Sequence, residues 1–162
     1  MIGRGIEELN ALSGKEARER LRGCCGSTEW ARRMEAARPF RDVAALQETA
    51  DEIWRSLSEA DRREAFQKHP RIGERVSGQA AEEQSGTRNA SSAILEGLAL
   101  ANREYEEKFG HVFLVCATGK SAEEMLALCR ERLHNDPETE MRVASEEQLK
   151  ITRLRLQKVF PQ

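Results

Sequence analysis

The sequence predicts an all-α fold, a single-domain bundle of amphipathic helices, on three observations. Charged residues make up 33% of the chain and aromatic residues only 5%. Glycine and proline number 11 and 4, too few for an all-β protein full of tight turns or for a Pro/Gly-rich disordered chain. The remainder is rich in Ala, Leu, Glu and Arg, all strong helix formers. At 162 residues one domain over 1–162 is expected. A domain of that size buries about 68–70% of its unfolded surface, so its core needs neither disulfide nor metal.

The elements follow in order. Ser13-Gly14-Lys15-Glu16 fits a capping box, Ser13 capping the helix start and Glu16 reaching back to its amide. That helix should stop near Gly23 or Gly26, because glycine suits the left-handed position past a helix end. Ser27 caps the next helix, through Trp30 and Met34, and Pro39 ends it. Asp42 caps a longer one, whose Val43, Leu46, Ile53, Trp54 and Leu57 fall on one face. Ser58 and Asp61 restart a helix to about Lys68, and His69-Pro70 breaks it, since proline restricts the residue before it and donates no backbone hydrogen bond.

Arg71 to Gly78 lacks periodicity and reads as a loop. A short polar helix with Glu82, Glu83 and Gln84 follows. Asn89 to Lys108 reads as a long helix with Ile94, Leu95, Leu98, Ala101, Asn102 and Tyr105 near one face. Phe109 to Ala117 is apolar and β-branched, with Gly110 and Gly119 at its ends. Taken alone it has a strand's composition, yet nothing else in the sequence looks like a partner strand, so it is expected as a buried extended or irregular segment. Ser121-x-x-Glu124 is a second capping box, for a helix that turns Ala122, Met125, Leu126, Cys129 and Leu133 to one side. Asn135-Asp136-Pro137 stops it and opens the last helix, to about Val159, proline being welcome at a first helical position.

Composition also excludes. With 26 basic and 28 acidic residues the formal net charge is −2, without the basic excess of a nucleic-acid-binding protein. No apolar run reaches the roughly 20 residues of a membrane span. The start, Met1 to Glu8, turns acidic before any apolar stretch and is not a secretory signal. Cys24, Cys25, Cys116 and Cys129 show no Cys-x-x-Cys spacing and read as free, mostly buried thiols in a reducing cytoplasm. Neither the cysteines nor His69, His111 and His134 have metal-ligand spacing, so no metal is expected.

Candidate chemistry is sparse. His69, at a helix end beside a loop, can exchange a proton near neutral pH or merely cap the helix through its dipole. Glu82 and Glu83 point about 100° apart on a helix, so at most one faces a pocket; a solvated acidic face is the plainer reading. On the last helix Arg142, Arg153 and Arg155 stand out. Arg153 and Arg155 both have apolar neighbours at helical spacing, and periodicity does not choose between them. His111 and His134 read as structural, and the cysteines lack an adjacent activating base.

Six segments in order resemble one family, the decarboxylases of 2-oxo-4-hydroxy-4-carboxy-5-ureidoimidazoline (OHCU). They are His69-Pro70-Arg71-Ile72-Gly73, Glu82-Glu83-Gln84-Ser85, Asn102 to Gly110, Phe113 to Ser121, Arg132-Leu133-His134-Asn135-Asp136, and Ile151 to Leu156. The resemblance runs from roughly Leu9 to Val159. It implies an all-helical, cofactor-free enzyme of urate breakdown that releases carbon dioxide to give (S)-allantoin. The family's catalytic histidine falls on His69 and its catalytic glutamate on Glu83. Substrate binding falls on Pro70, Gln84, the backbone of Phe113, Leu114 and Val115, and Arg155, which resolves the tie with Arg153. Many relatives have proline where this chain has Val112. The implied partner is the small-molecule substrate, and a homodimer is suggested by the resemblance alone. The alternatives are a related lyase or hydrolase of another ureido or imidazoline compound on the same scaffold, and a non-catalytic helical interaction module.

Overall fold

Short polar side chains mark where the helices begin. The structure is a computed structural model describing residues 4–74 and 78–161. The loop reading at Arg75, Val76 and Ser77 lies outside the described residues, as does the first part of the N-terminal reading, at Met1, Ile2 and Gly3. Among the described residues there are nine α-helices and no strand, as the composition predicts. The helices are α1 (Arg4–Ala11), α2 (Gly14–Arg22), α3 (Thr28–Ala36), α4 (Val43–Ser56), α5 (Glu59–Gln67), α6 (Gly78–Glu83), α7 (Ser92–Phe109), α8 (Ala122–Arg132) and α9 (Pro137–Val159).

Ser13, Ser27, Asp42 and Ser58 each accept a hydrogen bond from the backbone N–H three residues on. Ser91, Ser121 and Asp136 do the same. Each bond satisfies one of the orphan donors at a helix start. At Ser121 the box is reciprocal, the Glu124 side chain accepting from the Ser121 N–H. Three expectations needed correction. At Ser13 the cap is one-sided: the Glu16 N–H donates to Ser13 Oγ, and the Glu16 side chain makes no return bond to the Ser13 N–H among the described residues. The long helix starts at Ser92 rather than Asn89, because a 3-10 turn over Ser85–Thr87 intervenes and Ser91 supplies the cap. Gly23 does end α2, but at φ −67, not in the left-handed region; its N–H simply bonds back to Arg20. The left-handed glycine caps α7 instead, Gly110 at φ 78.

Two compact units are present, one of residues 1–65 and 149–162, the other of residues 66–148. In the first, α2 packs on α3 and α3 on α4, burying Leu21, Trp30, Met34, Leu46 and Trp54. The Trp30 indole N–H donates to the Ala50 carbonyl at 3.2 Å, which satisfies the polar edge of an otherwise buried ring.

In the second unit α7 packs on α8. Leu98, Ala101, Tyr105 and Phe109 meet Ala122, Met125, Leu126 and Cys129, and Phe113, Val115 and Ala117 of the connecting segment join them. This segment has no regular structure from Val112 to Ala117, and all six residues are buried. Its β-like composition therefore serves burial rather than a sheet.

Gly86, in the 3-10 turn, lies against Lys120, just past the turn that follows the segment. A Cβ there would collide with the Lys120 carbonyl oxygen, backbone against backbone. Gly86→Ala is expected to cost about 1–3 kcal/mol of stability through overpacking, read as a lower urea midpoint with the slope unchanged.

Candidate functional site

Proline dictates the geometry around His69. Helix α5 stops at Gln67, and the His69 N–H makes one last bond to the Phe66 carbonyl, 3.2 Å. Pro70 then turns the chain away. His69 is half-buried, and its Nε2 lies 2.6 Å from Oε1 of Gln148. Gln148 is on α9 and fully buried, at 0% exposure.

The strand of chain after Pro70 is tied down at two points. Gln84 Oε1 accepts from the Gly73 N–H at 3.0 Å, and Asn102 Nδ2 donates to the Ile72 carbonyl at 2.9 Å. Gly73 has φ +92, a conformation that suits glycine. Gln84 is thus buried and fixed. Glu83, the last residue of α6, is half-buried, while Glu82 is exposed; this is the asymmetry that adjacent helical positions require.

The irregular segment is held by side chains in place of a ladder. Arg132 Nη1 donates to the Leu114 carbonyl at 2.8 Å, and its guanidinium lies 4.7 Å from the Phe113 ring centroid. Glu147 Oε1 accepts from the Cys116 N–H at 3.0 Å. Lys120 Nζ donates to the Cys116 carbonyl at 2.9 Å. Among the described residues, no hydrogen bond reaches the backbone N–H groups of Phe113, Leu114 or Val115, although these residues are 1%, 2% and 4% exposed.

Arg132 is itself held by a buried carboxylate. Its Nε donates to Glu140 Oε1 at 2.7 Å. The same oxygen accepts from the Tyr105 hydroxyl, and Glu140 Oε2 from the Asn135 amide at 3.0 Å. Burial above all, with Glu140 adding to it against the Arg132 charge, raises the Tyr105 phenol well above its ordinary range, so it stays a neutral donor. Sequence reasoning missed Arg132, Glu140, Glu147 and Gln148 as contributors. The only signal present was Arg132 within a family-like segment.

His111 behaves as expected of a structural histidine: it is buried, with its ring centroid 4.9 Å from Phe66 and 5.5 Å from Tyr105. His134 is exposed just past the end of α8. In the other unit, Arg153 Nε bonds both oxygens of Asp51 at 3.2 Å, and its carbonyl accepts from Gln47. Arg155 is half-buried, and its charge acts on Cys24 and Cys25. Arg142 is exposed and donates to Thr139 Oγ1.

All four cysteines are free and buried. Burial pushes the thiols of Cys24, Cys25 and Cys129 up to about 12, the opposite of activation. In the native protein these three are expected to react far more slowly with a disulfide reagent at pH 8 than in denaturant. Their raised values also favour the folded state below the ordinary thiol value of 9.0, and that contribution is lost as pH climbs from 9 toward 12. Urea midpoints measured between pH 7 and pH 11 check the sign.

Two surface cavities, of about 420 Å³ beside Arg18, Arg22 and Arg32 and about 280 Å³ beside Ile72 and Asn102, include none of the candidate side chains. Among the described residues, no group of three or more His, Cys, Asp or Glu side chains is placed to hold a metal ion.

Comparison with known proteins agrees with the family resemblance. The chain is 37% identical over 147 residues to the uric acid degradation bifunctional protein TTL of Arabidopsis thaliana, covering 85% of this chain and 45% of that protein. It is 30% identical over 133 residues to a 2-oxo-4-hydroxy-4-carboxy-5-ureidoimidazoline decarboxylase of Amia calva, covering 77% of this chain and 76% of that one. It therefore spans less than half of the bifunctional relative's length. A crystal structure of OHCU decarboxylase in the presence of (S)-allantoin superposes with TM-score 0.81 at 36% identity, over 90% of this chain and 99% of that one. The family model for OHCU decarboxylase matches residues 10–157, across almost the whole sequence, and the chain belongs to that family.

Proposed function

We propose that this chain removes carbon dioxide from 2-oxo-4-hydroxy-4-carboxy-5-ureidoimidazoline to give (S)-allantoin. The observation that carries the reading is the segment Phe113 to Val115. Its three buried N–H groups take no hydrogen bond among the described residues, and such orphaned donors are rare in a native protein. The substrate offers carbonyl and carboxylate oxygens to meet them.

The chemistry asks little else of the protein. Breaking the bond to the carboxylate leaves an electron pair on the ring, and the substrate's own conjugated imine accepts it. The imine nitrogen takes up a proton, the ring hydroxyl gives up its proton to become a carbonyl, and one proton is added to the neighbouring ring carbon. His69 hydrogen-bonds the hydroxyl and takes its proton. Glu83 engages the ureido group or fixes the orientation of the imidazole. Gln84 and the rigid turn at Pro70 shape the binding surface, and Arg155 holds an anionic part of the substrate by a bidentate contact. Delivery of the proton to one face yields one enantiomer.

A cytoplasmic location suits four free thiols; among the described residues no helix is long and apolar enough to cross a membrane. A homodimer follows from the family resemblance, and sedimentation of the full chain tests it.

The experiment for the function is optical. Substrate is generated freshly from urate with the two enzymes that precede this step, the protein is added, and circular dichroism is followed. The expected result is rapid accumulation of dextrorotatory allantoin. A trace no faster than spontaneous racemic decay overturns the reading.

A further inference from the structure

We infer that Gln148 is a positioning residue for the reaction, holding His69 as the tautomer protonated on Nε2 so that Nδ1 is the nitrogen that accepts the substrate's proton. The inference rests on the decarboxylase reading above. It begins with the 2.6 Å approach of His69 Nε2 to Gln148 Oε1. A carboxamide oxygen is an acceptor only, so the imidazole nitrogen facing it is the donor. A neutral imidazole has one N–H and one lone pair, and the lone pair is thereby assigned to Nδ1. The imidazolium carries a proton on both nitrogens, so the bond to Gln148 persists when Nδ1 takes up a proton and again when it gives it back. The ring keeps one orientation through the whole cycle.

Burial makes this restraint firm. Gln148 is 0% exposed and lies on α9, so its carboxamide has neither water to turn toward nor a mobile backbone to move on. Breaking the contact would leave a buried polar group with a lost hydrogen bond, a cost that holds the pair together. A histidine half-buried at a helix end, next to proline, otherwise has two tautomers of similar energy, of which only one presents a base at a given position. A glutamine achieves the selection without a charge, unlike the carboxylate that often orients a histidine.

The test uses the full chain labelled with nitrogen-15 at histidine, with the His69 signals identified by their absence in His69→Asn. The wild type is expected to show a protonated Nε2 and a pyridine-like Nδ1 above the imidazole's titration. Gln148→Leu removes the acceptor and is expected to populate the other tautomer. Its kcat should fall about 10²-fold, the scale of general acid–base catalysis, with KM changed by less than about twofold. Gln148→Glu restores an acceptor oxygen at the same reach and should recover the wild-type tautomer and most of the kcat. A wild-type spectrum with the proton on Nδ1 overturns the inference, and needs no variant to fold. So does a folded Gln148→Leu with unchanged tautomer and kcat. A wild type with the Nε2 proton in place but no decarboxylation sinks the functional reading instead, so the two failures are told apart.

Discussion

His69→Asn is expected to lower turnover by about 10²–10⁴-fold, the contribution of a positioned general acid–base group. The allantoin that still forms should be racemic. Asparagine removes the titratable nitrogen, while the backbone bond to Phe66 and the turn at Pro70 do not depend on the ring. The fold should therefore persist, with a thermal midpoint lowered by the loss of the His69 bond to the buried Gln148 carboxamide, a cost of about 1–3 kcal/mol. The measurement pairs circular dichroism of the product with a melt of the protein. Loss of activity with a melt that stays cooperative and shifts only modestly is the expected pattern. Full activity with retained stereochemistry would falsify the role given to His69.

The largest effect on stability is expected at Arg132. Arg132→Met strands the Glu140 carboxylate, which is wholly buried, with only the Tyr105 hydroxyl and the Asn135 amide as donors. Removing one member of a buried ion pair costs about 3–5 kcal/mol, or about 6–20 °C of melting temperature for a domain of this size. The same change frees the Leu114 carbonyl, so activity should drop in whatever protein remains folded. The double variant R132M/E140M removes both charges and should be more stable than Arg132→Met alone, because an apolar replacement of the whole pair is often nearly neutral. A double variant less stable than the single one would show that the pair is not the source of the loss. Calorimetry of the three proteins decides.

Local chemistry made much of this fold readable from sequence. The caps at Ser13, Ser27, Asp42 and Ser121 involve neighbours three residues apart, so the string of letters contains both partners. His69-Pro70 and Asp136-Pro137 likewise show their breaks directly. The segment after Gly110 had to be inferred by elimination, because its restraints lie 18 and 31 residues away, in Arg132 and Glu147. Gln148 is 79 residues from His69. On α9 it stands after Glu146 and Glu147 and looks like one more solvated side chain. Periodicity finds apolar faces and does not mark a buried polar residue. Likewise, nothing local distinguishes Glu140 from the exposed Glu138 two positions earlier. The His69, Glu83 and Arg155 assignments came from family resemblance, which carries long-range information that periodicity lacks.

Helix α9 has a consequence for how this protein can vary. Glu140, which holds Arg132 against Leu114, and Glu147, which holds Cys116, are seven residues apart, two turns of one helix and about 10 Å along its axis. Under the proposed function the segment from Phe113 to Val115 meets the substrate through its backbone, so its side chains can vary among apolar types of similar bulk. The spacing on α9 has no such freedom. Inserting or deleting a single residue between Glu140 and Glu147 would swing one clamp by about 100° and release half of the segment. Point changes in the apolar wall should be absorbed, and a one-residue length change between Glu140 and Glu147 should not.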